Sequence, residues 1–270
     1  MSTTRQPAIF IPHGGGPCFF MDWTWGPADT WHATQRFLES LAATLPERPS
    51  AILVISGHWE EPALTAGAAA KPELIFDYSG FPQQTYELTW PAPGDPALAA
   101  RVSSLLQAAG MPSATDTRRG YDHGVFVPLK VAFPGADIPV VTLSLDHSLD
   151  PALHIAAGRA LAPLRDEGVL IVASGMSFHN LRGYFQPQTA ERSHAFDAWL
   201  TQAIQSPAKQ RNALLEKWRS APFATYAHPR EEHLIPLMVA TGAADQDAAR
   251  LAYNKTFAGL RLSAFHFGES

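Results

Sequence analysis

Four apolar runs stand out along the chain, at residues 8–11, 51–55, 139–145 and 169–173. They are continuous rather than alternating, the pattern of strands covered by helices on both faces, as in a parallel sheet. The segments between them carry helical start and stop signals. Asp95-Pro96 reads as an N-cap followed by proline in the first turn, with Leu98, Val102, Leu105 and Ala109 on one face and Gly110 as terminator. Asp150-Pro151 repeats the device ahead of Leu153, Ala157, Leu161 and Leu164, ending before Gly168. Asp29 is placed to cap a helix carrying Leu38, Leu41 and Leu45, stopped at Pro46. Strands alternating with helices predict an α/β fold, a central, mostly parallel sheet with helices on both faces.

Three regions depart from that rhythm. Residues 72–93 are rich in Pro, Gly and aromatics, which predicts a long excursion over the sheet edge of the kind that frames a site. Residues 186–218 read as two amphipathic helices broken near Pro207, and the end, LRLSAFHFG, alternates like a last strand. With no repeat and no linker, residues 1–270 are expected to form one domain.

Composition narrows the classes. The chain is 46% hydrophobic and 17% charged over 270 residues, enough for a large core and against disorder. Net charge is −5 and the basic residues are scattered, Arg118-Arg119 reading as solvated surface, so no nucleic-acid partner is expected. No stretch approaches the ~20 apolar residues that cross a bilayer, and the apolar run that follows the polar start and breaks at Pro12 is too short for a signal-peptide core. A cytoplasmic protein without a membrane partner, monomer or homodimer, is the expectation. Cys18 is the only cysteine, which leaves no intrachain disulfide and no thiolate zinc site. A metal here must be held by imidazole and carboxylate.

The eleven histidines matter by position. His13 follows the first run in PHGGGP, His58 follows the second in SGHW, and His179 lies just beyond the fourth in SGMSFHN. In open α/β sheets, ligand sites form beyond the carboxyl ends of parallel strands, so these three are expected on one rim. His123 in GYDHGVF and His228 and His233 in HPREEHLIPL fall in loops with unusual neighbours. His32, His154 and His194 sit on predicted helices and His266 in the last strand, where solvent or core is the simpler account; His147 also follows a strand. A cluster of neutral imidazoles without thiolates suits Zn(II) or Fe(II), and open positions on such an ion would bind substrate oxygens and O2 or polarise a water.

Six blocks in order and spacing carry a resemblance: PAIFIPHGGGP, ILVISGHW, FDYSGFPQQTYELTWPAPGDPALA, YDHGVFVPLKVAFPGADIPVVTLSL, LRDEGVLIVASGMSFHNLR and HPREEHLIPL. They resemble the 4,5-DOPA extradiol dioxygenase family, among the class III extradiol dioxygenases related to protocatechuate 4,5-dioxygenase. The resemblance implies a metal site at the strand C-termini, with His13, His58 and His233 as ligands and His179 as a fourth contact or an acid/base. It implies His123 as a proton-transfer partner near the substrate, Fe(II) for activity and Zn(II) as an occupant of purified protein. The partners implied are a small, DOPA-like catecholic substrate and O2, whose atoms both enter the ring opened at a mononuclear non-haem metal. On that reading Asp122 would orient His123, Glu232 would support a ligand imidazole, and Tyr121, Trp59, Phe81 and Phe178 are candidates to stack on the substrate. HGGGP stands where many members have HGSP or HGAP, and His228 is an added imidazole read as a loop residue. A zinc-dependent hydrolase using the same histidines, or a non-catalytic relative kept as a binding module, are the competing classes.

Overall fold

In the computed structural model, which describes residues 4–184, 186–257 and 259–269, the four apolar runs lie side by side in the middle of one eight-stranded sheet. The strands are β1 (Ala8–Pro12), β2 (Ala51–Glu61), β3 (Leu64–Gly67), β4 (Ser113–Asp116), β5 (Val140–Asp146), β6 (Val169–Gly175), β7 (Ala249–Phe257) and β8 (Leu260–Phe267), in the spatial order β4-β3-β5-β2-β6-β1-β8-β7. The central four are parallel, with Ile52 beside Val140, Leu53 beside Ile171 and Ile9 beside Val172. The edges are mixed. β3 and β4 pair parallel with each other, β3 meets β5 antiparallel, and the β7–β8 hairpin adds antiparallel to β1.

Helices α1 (His32–Ser40), α2 (Pro96–Ala108), α3 (His123–Ala132), α4 (Pro151–Leu161), a one-turn α5 (Pro163–Asp166), α6 (Thr189–Ile204), α7 (Ala208–Glu216), a one-turn α8 (Ala224–Ala227) and α9 (Ile235–Ala244) cover the sheet. Because successive side chains of a strand point to opposite faces, each continuous run divides between two cores. Leu53, Ile55, Ile171 and Ala173 pack with α2, α4, α6 and α9, whereas Ile52, Val54, Leu170 and Val172 pack with α1 and α3. Burying one such aliphatic side chain contributes about 1.5–3 kcal/mol, which is why an apolar run on both faces is stable only between two helix layers.

The predicted caps are present where they use side chains. Asp95 accepts from the amides of Ala97 and Leu98, and Asp150 from that of Ala152. Asp29 does not cap: α1 begins at His32, whose N–H donates to the Asp29 carbonyl, and it runs into a 3-10 turn at Leu41–Thr44. The helix from Pro151 stops at Leu161 rather than reaching Leu164, since Pro163 has no N–H to continue the ladder. His123 is not in a loop but opens α3. Arg119 is not free surface either; it pairs with buried Asp122 at 2.7 Å. No helix among the described residues is long and apolar enough to cross a membrane.

Candidate metal centre

β1, β6 and β2 are neighbours and parallel, so their carboxyl ends share a rim. His13 is the first residue past β1, and Gly14 beside it takes φ +90°, a conformation that suits glycine and turns the chain sharply over the strand end. His58 lies within β2, where the pairing with β5 is irregular between Ile55 and Glu60. His233 arrives from the turn before α9, and its carbonyl accepts from the N–H of Met176 at 3.0 Å. That approach needs Gly175, since a Cβ there would lie 2.2 Å from the His233 carbonyl oxygen.

The result is a set of imidazoles facing one point. His58 Nε2 lies 3.3 Å from His13 Nε2 and 3.2 Å from His233 Nε2. His13 Nδ1 donates to the Gly14 carbonyl at 2.8 Å, and His233 Nδ1 donates to Glu232 Oε1 at 2.8 Å. Both Nε2 atoms are therefore bare lone pairs. A proton on His58 Nε2 would serve one neighbour and leave the other facing it unpaired. His58 Nδ1 faces Asp77 Oδ2 at 3.8 Å, consistent with a proton on that side. Three lone pairs converging in a buried place fit a cation, and nitrogens bound to one ion at about 2.1 Å stand about 3.0–3.4 Å apart. Burial, with the neighbouring histidines, holds His13 and His233 far below the usual imidazole range and brings His58 to about 3, so all three are neutral at pH 7.

Two more histidines flank the set. His123 donates its backbone N–H at 2.9 Å and its Nδ1–H at 2.8 Å to the same oxygen, Asp77 Oδ1, and its ring centre lies 3.9 Å from that of His58. His179 lies flat on His233, ring centres 3.4 Å apart and 18° between planes, with Nδ1 3.3 Å from Glu232 Oε1. Donor atoms of His13, His58 and His123, and separately of His179, Glu232 and His233, fall within 4.8 Å of one another. Burial works to raise the carboxyls of Asp77 and Glu232, but hydrogen bonds from His123 and His179 outweigh it and hold both below their ordinary values.

Asp122, adjacent to His123 in sequence, turns away to accept from Ser56 Oγ at 2.7 Å and to pair with Arg119; Asp77, from the 72–93 excursion, takes the orienting place. Glu232 supports His233 as the sequence suggests. His228 is buried behind the site with Nε2 on the Ser177 carbonyl at 3.1 Å, and His147 is exposed outside it. His154 lies buried in α4 and His266 in β8, both away from the cluster, and Cys18 is a buried thiol under Gly14 that burial keeps protonated.

A cavity of about 460 Å³ opens above the imidazoles. His13, His58, His123, His179 and His233 line it together with the aromatic rings of Trp23, Trp25, Trp31 and Phe81 and with Met176, Leu181 and Tyr184. Of the four stacking candidates read from sequence only Phe81 lines the cavity. Tyr121 is buried, its hydroxyl donating to Val140 O at 2.9 Å, Trp59 is buried beneath Arg119, and Phe178 is in the core. Trp23 and Trp25 are signalled only by the aromatic density of FFMDWTW, which follows HGGGP after Cys18, and Trp31 by nothing in its neighbourhood.

Residues 7–263 match the family model described as the catalytic LigB subunit of aromatic ring-opening dioxygenase. The 4,5-DOPA dioxygenase extradiol of Beta vulgaris is 40% identical over 233 residues, covering 84% of this chain and 86% of that protein. The protein of the same name from Escherichia coli K12 is 38% identical over 251 residues, 91% and 88% of the two chains, and the dioxygenase tasH of Hapsidospora irregularis is 38% identical over 281 residues, 98% and 86%. A crystal structure of an uncharacterised Escherichia coli K12 protein superposes with TM-score 0.76 at 32% identity, over 98% of this chain and 100% of that one.

Proposed function

Since the chain belongs to the family of the catalytic LigB subunit of aromatic ring-opening dioxygenases, and is an extradiol ring-cleaving enzyme, we propose that His13, His58 and His233 hold iron(II) and that the substrate is a catechol. The observation that carries this is the convergence of three Nε2 atoms, 3.2 and 3.3 Å from one to the next, at the base of an open cavity. Iron(II) bound there would supply the redox chemistry and the open positions that let a catechol and O2 react.

The remaining groups handle protons and position. His123 commits Nδ1–H to Asp77, leaving Nε2 as its basic atom to take a proton from a catechol hydroxyl and return it as the ring opens. His179, stacked on His233 and steered by Glu232, holds the second proton. The aromatic walls exclude water and hold the ring over the imidazoles. Cleavage beside the two hydroxyls adds both atoms of O2 and gives one aldehyde and one carboxylic acid, so no further reductant is needed.

The test is anaerobic reconstitution with iron(II), followed by oxygen uptake with L-DOPA, protocatechuate and unsubstituted catechol. One O2 consumed per catechol with a yellow ring-opened product is expected, and His13→Ala should hold no iron by metal analysis. Iron-replete protein that takes up no oxygen with any catechol would overturn the reading, and ester hydrolysis by the zinc form would replace it.

A further inference from the structure

Above the imidazoles the cavity wall is built of rings and aliphatic side chains among the described residues. Among the described residues that line it there is no Arg, Lys, Asp or Glu, and its polar side chains other than histidine are indoles and one phenol. Arg182 follows the lining residue Leu181 but is exposed and does not line the cavity, and other arginines outside it are engaged. Arg119 pairs with Asp122, Arg230 with Glu60 and Glu232, and Arg192 lies over the Tyr226 ring. The wall itself is a run of rings in contact: Phe81 to Trp25 at 5.0 Å, Trp25 to Trp23 at 5.1 Å, Trp23 to Trp31 at 5.6 Å. Trp25 and Leu181 remain 51% and 63% exposed although both line the cavity, which places apolar surface at its mouth. The volume, about 460 Å³, is in the range that takes a drug-sized molecule, more than a single ring fills.

We propose that the substrate is a catechol carrying an uncharged, apolar substituent, alkyl or aryl, and that Trp25, Phe81 and Leu181 select it. The proposal rests on the ring-cleavage reading above and names its substrate class. The physical reason is an asymmetry. A carboxylate or ammonium drawn over this wall loses hydration and meets no countercharge, whereas an apolar substituent covers indole and leucine surface that otherwise faces water. A site that reads a charged group carries a partner for it, usually a bidentate arginine for a carboxylate. This cavity offers planar faces instead, and the order of rings from Phe81 to Trp31 extends them along its side.

The experiment compares 4-propylcatechol with its carboxylate counterpart dihydrocaffeate, which differ at the end of the substituent, and with L-DOPA. It reads kcat/KM by oxygen uptake in the iron form and, independently of turnover, affinity by calorimetry in the zinc form. The expected result is a preference of about tenfold or more for 4-propylcatechol in both readings. Trp25→Ala combined with Leu181→Ser should bring the ratio toward one, and Trp25→Arg should invert it. Equal or tighter binding of the two charged catechols by the wild type would overturn the proposal. A preference for 4-propylcatechol in affinity with no oxygen uptake would uphold it and overturn ring cleavage instead, so the two failures are separable.

Discussion

Asp77 accepts two hydrogens from His123 and faces His58 with its other oxygen, so one carboxylate orients the ring proposed to transfer protons and supports a proposed ligand. Carboxylates of this kind hold an imidazole in one tautomer, and removing them costs about 10–100-fold in activity or metal affinity. Asp77→Ala is expected to lower kcat by about that factor with little change in KM, in protein loaded with metal to the wild-type content. Asp77→Asn, which keeps an acceptor but not the charge, should fall between. Unchanged kcat in metal-replete Asp77→Ala would remove Asp77 from the site. At this scale the sequence singles out histidines that the fold brings together, and not what touches them. His13, His58 and His233 stand at breaks in apolar runs or in a family motif, whereas adjacency in sequence points to Asp122 as the orienting carboxylate, which it is not. Asp122 precedes the first residue of α3 and its side chain drops to Ser56 and Arg119, while Asp77 reaches His123 across 46 positions of chain.

The elements were legible in proportion to how far one physical pattern determined them. The four central strands are apolar on both faces, a pattern read directly, and the Asp-Pro starts of α2 and α4 carry their own caps. β3, β4 and β7 were not seen: β3 and β4 are four residues each, too short for a pattern, and the longer edge strand β7, ARLAYNKTF, mixes polar and apolar side chains and owes its conformation to its neighbour's backbone. The site depends on elements meeting closely, above all where the turn bearing His233 closes on the end of β6. Gly175→Ala sets a methyl 2.2 Å from the His233 carbonyl oxygen, a backbone atom that moves only if the turn moves. We expect it to cost about 1–3 kcal/mol in urea unfolding and to weaken metal binding about tenfold or more, followed by competition with a chromogenic chelator. Gly110→Ala, at the end of α2 with φ +78° and open space around it, is the control. It should cost about 1 kcal/mol from its backbone conformation and leave metal affinity unchanged. Equal metal affinity in both variants would show that the turn tolerates displacement and does not fix the ligand.

For the molecule as a whole, the cluster is a burden in acid that the fold carries before any metal arrives. Burial holds His58 and His228 to about 3 and His13 and His233 far below the usual range, so the native metal-free chain excludes protons that the unfolded chain accepts near its ordinary imidazole value of about 6.5. Where the unfolded state binds more protons, stability rises with pH. The contribution is thus fully present above about pH 6.5 and is lost as pH falls through the window toward about 3, at up to about 1.4 kcal/mol per pH unit for each imidazole. Metal binding steepens the same dependence because the ligands must stay unprotonated. Urea titrations of the metal-free protein between pH 7.5 and 5 should show a flat plateau and then a steep fall below about pH 6.5, well above the carboxylate range. His228 gives the internal check, since it is buried apart from the ligand set with Nδ1 unsatisfied and only its Nε2–H bonded, to Ser177. His228→Leu is expected to lose about 1 kcal/mol at pH 7.5 with that hydrogen bond and to reduce the acid slope by one imidazole's share, the slope being carried also by the other buried imidazoles, His154 and His266 among them. A pH-independent unfolding free energy from 6.5 to 5 would mean that the cluster takes up protons in the folded state. The neutral lone pairs on which the proposed metal centre depends would then not be a property of the fold.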